Sequence, residues 1–270
     1  MVYELGILGA GNMAEAIVRG VLRKALFQPA QLIAADPVAA RRELFEGELR
    51  VRSVADNAEV AKRAKIVLLS TKPYQVKEAL APLGAVMDEQ TLVISIAAGV
   101  TSRAIADALG RGKTWRIIRS MPNTPMLVGE GIVGVAAGVG ASDADVATAR
   151  TIFEAAADVV EVAEEQIDAV TALSGSGPAY FYYLVENMIQ AGVEMGLSPA
   201  DARAMAIKTA AGAGKLLAAS TDEPAELRRK VTTPGGTTEA AITHMTNHGL
   251  PKIVIDAIKA AERRGRELGR

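Results

Sequence analysis

The sequence has no cysteine. That excludes a disulfide scaffold, a thiolate nucleophile and cysteine-ligated metals, and it fits a cytoplasmic protein. Histidine is nearly absent too, with only His244 and His248. Four apart on a helix, they would share a face. No carboxylate stands near them at metalloprotease spacing, so no metal site is expected and a helix-end or surface role is assigned. Aromatic residues are 4% of the chain, which argues against an aromatic binding platform. Thirty basic residues face 31 acidic ones for a formal net charge of -1, with no basic block. Neither nucleic acid nor an anionic membrane surface is an expected partner. No apolar run approaches the ~20 residues that span a bilayer. The start, MVYELGILGAGNM, lacks the charged region and cleavage signature of a signal peptide, so none is expected.

What the sequence has in abundance is alanine, valine and glycine, and half of its 270 residues are hydrophobic. That suffices for one large domain or two smaller ones. Up to about residue 160, short β-branched runs alternate with helical patterns. The runs are YELGIL (Tyr3–Leu8), LIAA (Leu32–Ala35), IVLLS (Ile66–Ser70), LVISI (Leu92–Ile96) and the Ile117-Ile118 pair in TWRIIR, with IVGVAA and DVVEVA as weaker candidates. Such alternation predicts a parallel sheet covered on both faces.

Beyond about Glu164 the strand signal stops. Segments 166–173, 179–197, 199–219, 223–230, 239–247 and 252–268 read as helices. Ser198-Pro199 is an N-cap followed by a first-turn proline, and Gly196 and Gly249 stand where helix-terminating glycines belong. The 179–197 segment is apolar on nearly every side, so a second subunit is expected to help bury it. The predicted fold class is α/β. A dinucleotide-binding domain spans 1–163, and an all-α substrate-binding and dimerisation domain spans 164–270. A crevice is expected between them.

The string ILGAGNMA follows the first strand and opens a helix. Gly9, Gly11 and Ala14 match the G-x-G-x-x-G/A fingerprint in its required context. Gly9 would make the tight turn, Gly11 would let a pyrophosphate approach, and Ala14 would let helix and strand pack closely. Leu8, Gly9, Ala10, Gly11, Asn12 and Met13 are therefore candidate cofactor-binding residues. Asp36, at the end of the second strand, would accept hydrogen bonds from the ribose hydroxyls of NAD and repel the 2′-phosphate of NADP. The competing role for Asp36 is a turn residue before Pro37. Arg41 and Arg42 would offset that repulsion if they pointed inward, although a solvated helix face is the expected place for them. Lys72, in Ser70-Thr71-Lys72-Pro73, and Ala97-Ala98 follow later strands at the sheet rim where ligands bind. Met121, Pro122 and Asn123 begin a proline-stiffened loop that suits a pocket wall.

In VTTPGGTTEA (231–240), four threonine hydroxyls surround a Pro-Gly-Gly turn just before a helix. Thr237 or Thr238 is expected to cap that helix. The surplus hydroxyls and glycine N–H groups would form a carboxylate cradle at its positive end.

Together GAGNMA (9–14), STKP (70–73), RSMPNTP (119–125), LSGSGPAY (173–180) and VTTPGGTT (231–238) resemble the pyrroline-5-carboxylate reductases, in order and over essentially the whole chain. The resemblance implies a Rossmann domain followed by helices that interlock with a partner, giving a homodimer or a larger homo-oligomer. It implies hydride transfer from NAD(P)H to the C=N bond of 1-pyrroline-5-carboxylate, yielding L-proline. It implies a carboxylate site at Thr233, Gly235, Gly236 and Thr237, with the hydroxyl of Thr238 near the ring nitrogen as the catalytic candidate. Asn57 would lie near the adenosine end of the cofactor, and Ser70, Thr71, Lys72 and Pro73 along the nicotinamide ribose and diphosphate. Asp36 stands where many NADP-using relatives carry a neutral or basic residue, so the cofactor expectation leans to NADH.

The chemistry agrees with this set. Ketone reduction usually needs a strong acid beside the developing alkoxide. A cyclic imine carries a proton before reduction and leaves as an amine, so positioning suffices. A β-hydroxyacid dehydrogenase, the nearest rival, would need a lysine early in the second domain. Residues 166–197 contain none, and Lys208 and Lys215 lie further along. A nucleotide-sensing relative without turnover is the rival from another class.

Overall fold

The computed structural model describes residues 2–110 and 112–268; the outer limits of the expected domains, residues 1 and 270, lie outside them. In chain order the first part forms β1 (Tyr3–Leu8), α1 (Asn12–Arg23), β2 (Leu32–Ala35), α2 (Ala39–Gly47), β3 (Arg52–Val54), α3 (Asn57–Ala61), β4 (Ala64–Leu69), α4 (Val76–Leu80) and β5 (Leu92–Ser95). Then come α5 (Ser102–Leu109), β6 (Arg116–Pro122), β7 (Gly131–Ala137), α6 (Asp143–Glu154), β8 (Ala157–Glu161) and α7 (Ile167–Val170).

The strands form one sheet in the order β3-β2-β1-β4-β5-β6-β7-β8. Successive residues alternate between two apolar layers, as strand geometry requires. Leu68, Ile94 and Ile118 enter the core that contains Ile17, Phe45 and Phe153. Leu69, Val93 and Ile117 enter the one that contains Ile105 and Trp115. The expected parallel sheet holds for six of its pairs, while β6 and β7 run antiparallel. Their connection is a single 3₁₀ turn, Thr124–Val128, too short for a crossover of about a dozen residues. The short strand β3 went unanticipated, because its residues, RSV, carry no apolar run.

One ion pair anchors β6 to α6. Arg116 bonds Asp145, whose side chain is 2% exposed, and Ser142 donates to the same carboxylate from its N–H and its hydroxyl. Burial opposes ionisation of Asp145, but the hydrogen bonds from Arg116 and Ser142 outweigh it and hold the carboxyl below its ordinary range. A depressed acid stabilises the fold above its unfolded pKa, and that stabilisation is lost as pH falls through the folded value. Asp145→Asn is therefore expected to cost about 2 kcal/mol at pH 7. The difference from the unmodified protein shrinks as the pH falls below the ordinary carboxyl value and through the lower folded one. Urea unfolding at neutral and at acid pH checks this.

The rest of the chain is helical: α8 (Gly177–Glu194), α9 (Pro199–Ala219), α10 (Pro224–Lys230), α11 (Thr237–Asn247) and α12 (Leu250–Leu268). The Ser198 hydroxyl caps α9 by accepting from Asp201 N. Gly192 lets α8 meet Ala202 of α9, since a Cβ there would stand 3.0 Å from that methyl. The expected helix over 166–173 instead divides into a 3₁₀ turn, α7 and a π turn, Thr171–Gly175. Backbone contacts divide the chain into two compact units, residues 1–176 with 261–270, and residues 177–260. The first includes the 3₁₀, α7 and π segments. In the second unit, Phe181, Tyr182 and Tyr183 on α8 are 66–69% exposed, more apolar surface than a monomer normally leaves open. Among the described residues no helix is long and apolar enough to cross a membrane.

Candidate active site

The first unit gathers its candidate residues through strand register. Leu8 lies level with Ala35 and with Leu69, Ala35 with Val54, and Leu69 with Ser95. The residues that follow these ends, Gly9, Asp36, Asn57, Ser70 and Ala97, therefore share one rim. The strand order reverses there between β1 and β4, which is where open α/β sheets bind ligands.

Gly9 has φ +93, and a Cβ on it would lie 2.8 Å from the carbonyl oxygen of Ser70. Only glycine fits both constraints. Gly11 is the N-cap of α1 and offers no side chain. A Cβ built on it would meet nothing within 4 Å. The N–H groups of the first turn of α1, at Asn12 and Met13, have no acceptor within the helix, and the open space at Gly11 lets an anion come close to them, as a pyrophosphate site requires. The hydroxyl oxygen of Thr71, on the same rim, is buried without a hydrogen-bond partner. These residues fit a dinucleotide.

Asp36 is 9% exposed. One carboxylate oxygen accepts from Ala10 N at 2.8 Å and the other from Val38 N at 2.8 Å. Asp36 is thus a turn residue and a fastener for the glycine loop, and each oxygen keeps a second lone pair. The arginines are not on a solvated face. Arg41 donates to Ala10 O at 2.6 Å and pairs with Glu15 at 2.8 Å. Arg42 donates to the carbonyls of Asp36 and Pro37. Asn57 opens α3, capped by the carboxylate of Asp56. Lys72 is exposed and Pro73 starts a 3₁₀ turn, while Ala97 is buried and Ala98 half-buried.

Met121 and Pro122 finish β6 at the same rim. The side chain of Met121 reaches the space beside Gly175 in the π turn. Asn123 is 8% exposed. Its amide accepts from Ile132 N at 3.0 Å and donates to Ser174 O at 3.3 Å. Asn123 therefore ties the MPNTP segment to the SGSG segment. Sequence reasoning missed a charged group behind them. Arg119, 3% exposed at its side chain, pairs with Asp168 at 2.5 Å. The signal was an arginine inside the apolar run RIIRS, at a position a buried strand reserves for uncharged residues.

The second unit carries the threonine loop. Gly235 has φ +71. The N-cap of α11 is Gly236, without a side-chain hydrogen bond, so neither Thr237 nor Thr238 caps the helix. Both have already entered its first turn. A different residue closes the loop: Glu239 accepts from Gly235 N at 2.6 Å. Glutamate at the third helical position was the readable signal for this. Thr232 donates to Arg228 O. Among the described residues, the hydroxyls of Thr233, Thr237 and Thr238 make no hydrogen bond within the chain. His244 and His248 stack with ring centroids 4.0 Å apart, and no metal-holding group of three or more His, Cys, Asp or Glu exists among the described residues.

Residues 164–268 match the family model for pyrroline-5-carboxylate reductase dimerisation, and residues 4–99 match that for coenzyme F420-dependent NADP oxidoreductase. The chain is 39% identical to a pyrroline-5-carboxylate reductase of Synechocystis over 270 residues, all of both chains. It is also similar to two solved structures. The pyrroline-5-carboxylate reductase of Coxiella burnetii superposes with a TM-score of 0.90 at 33% identity over all of both chains. The pyrroline carboxylate reductase of Plasmodium falciparum, solved with NADP bound, superposes with 0.86 at 26% identity, covering 99% of this chain and 98% of its own. The dimerisation match and the exposed apolar face of α8 make the protein a homo-oligomer.

Proposed function

The chain belongs to the pyrroline-5-carboxylate reductase family, and on that premise we propose that it reduces 1-pyrroline-5-carboxylate to L-proline in the last step of proline biosynthesis. NAD(P)H supplies the hydride when bound. The observation that carries this reading is the start of α11. Its first-turn N–H groups lie beside three threonine hydroxyls with no other use in the chain. They suit a carboxylate and a ring nitrogen, the two polar groups of this substrate. Thr233, Gly235, Gly236 and Thr237 line the carboxylate site, with the open first-turn N–H groups as its donors, and Thr238 orients the ring nitrogen. Met121, Pro122 and Asn123 form a wall, with Asn123 acting through its ties to Ile132 and Ser174. Residues Leu8 to Met13, Asp36, Asn57, Ser70 to Pro73, Ala97 and Ala98 hold the dinucleotide.

The assay is oxidation of NADH and of NADPH with 1-pyrroline-5-carboxylate; no turnover with either sinks the reading. Thr238→Ala is expected to lower kcat about 100-fold, the lower end of the range for groups that assist proton transfer, with the KM for NADH unchanged. Equal kcat would remove Thr238 from the chemistry.

NADH is the preferred cofactor in this reading. The Asp36 carboxylate is fixed at the end of β2 by Ala10 N and Val38 N, where this reading puts the ribose, and Arg41 is already neutralised by Glu15. Asp36→Ser should raise kcat/KM with NADPH relative to NADH about tenfold, the scale of one like-charge contact near a surface. An unchanged ratio would mean that Asp36 faces no ribose. Residues 164–270 form the substrate-binding and dimerisation domain, the homodimer forms through the C-terminal helices, and the protein acts in the cytoplasm.

A further inference from the structure

The threonine loop contains an anion of its own. Gly235, Gly236 and the first turn of α11 form the cradle assigned above to the substrate carboxylate, and the outermost of its donors is spent. The N–H of Gly235 donates to Glu239 Oε2 at 2.6 Å. The cause is local. Gly236 offers the helix no capping side chain, and Gly235 is held left-handed at φ +71, which turns its N–H back along the chain. Glu239, at the third helical position, reaches back to it as the glutamate of a capping box does. The N–H of Gly236 is also spent, on Thr233 O at 2.9 Å. The donors left open are those of Thr237, Thr238 and Glu239.

We propose that Glu239 is a positioning and specificity-determining residue: its carboxylate stands in for the substrate carboxylate on the Gly235 N–H, keeps the loop in its bound shape, and competes with every anion that enters the cradle. This rests on the reductase reading of the loop. A second carboxylate seated on the Thr237 and Thr238 N–H groups comes within a few ångströms of Glu239, and like charges at that distance repel. Binding an anionic substrate therefore requires Glu239 to swing into solvent, for which it is free because it is exposed. Glu239 thereby sets the KM for carboxylate-bearing substrates and for the carboxylate product, and leaves the hydride-transfer step alone.

Glu239→Gln tests the charge by itself. Glutamine has the same length, and its amide oxygen can still accept from Gly235 N, so the loop keeps its shape. At low salt the KM for 1-pyrroline-5-carboxylate should fall about fivefold, and the inhibition constant of L-proline should fall in parallel. The kcat and the KM for NADH should not change. Glu239→Ala removes charge and cap together; its KM should lie above that of Glu239→Gln, and the gap measures the loop-shaping part. An unchanged KM in Glu239→Gln overturns the proposal and leaves Glu239 as a helix cap. A lower kcat at constant KM also overturns it, because the carboxylate would then act on the ring nitrogen. An unmodified protein that turns over no 1-pyrroline-5-carboxylate overturns both this proposal and the reading beneath it, and that result is visible before any variant is made.

Discussion

Asp168→Ala is expected to lower the unfolding free energy by about 3–5 kcal/mol, the scale of a buried ion pair broken from one side. Arg119 and Asp168 are 3% and 13% exposed at their side chains, 2.5 Å apart. Removing the carboxylate leaves a guanidinium in the sheet with little to bond. Its Nε already has no partner, and its remaining contact is a 3.5 Å approach to Glu164 O. The damage should spread, because Arg119 stands two residues before the Met121 that reaches Gly175. Asp168 also lies beside Gly265 of α12, within 3.8 Å of where a Cβ on that glycine would be. Denaturant midpoints at constant slope measure the loss. The double variant Arg119→Met with Asp168→Leu, which removes both charges, should recover most of it. A loss under about 1 kcal/mol for Asp168→Ala would show that the pair behaves like a surface salt bridge and supports nothing behind the MPNTP segment.

Gly9→Val and Gly11→Ala should separate two kinds of glycine in one loop. At Gly9, φ is +93 and a Cβ meets backbone at 2.8 Å. A β-branched residue there costs about 3 kcal/mol, and the displaced loop should bind NADH at least about 100-fold more weakly. At Gly11, a Cβ meets nothing within 4 Å, so Gly11→Ala should leave the unfolding midpoint in place. It should still weaken NADH binding, because the methyl group occupies the space a pyrophosphate needs. Thermal unfolding and fluorescence titration with NADH on both variants check this. If Gly11→Ala binds NADH normally, the pyrophosphate does not lie against that backbone.

Much of the fold was legible because its signals are periodic and local. Runs such as LVISI and IVLLS belong to strands buried on both faces, where nearly every position is apolar, and α9 fell at the expected residues because the Ser198 cap and Pro199 mark its start. What escaped had no such signal. The strand β3 is three residues of RSV at a sheet edge, paired through its backbone rather than recognised by its side chains. The reversal of β7 depended on how short its connection is. The helix expected over 166–173 is interrupted by a π turn whose Gly175 lies beside the Met121 side chain, a neighbour from far along the chain.

The candidate site divides in the same way. The residue types expected to meet a dinucleotide and a small carboxylate were marked by the sequence alone, because tight turns, close backbone approach and anion-binding helix starts each demand particular residues at fixed spacing. Their partners were not. Asp36 fastens Ala10, Arg41 turns inward onto the glycine loop, Arg119 finds Asp168, and Glu239 rather than a threonine closes the start of α11. Most of these pairings join residues far apart in the chain, and each depends on how side chains meet after the chain has folded. Sequence by itself determined which backbone turns and apolar layers are possible, since those follow from sterics and hydrophobic periodicity. Only the tertiary structure decided which charges neutralise one another and which donors stay open for a substrate, because electrostatic pairing is set by distance and burial.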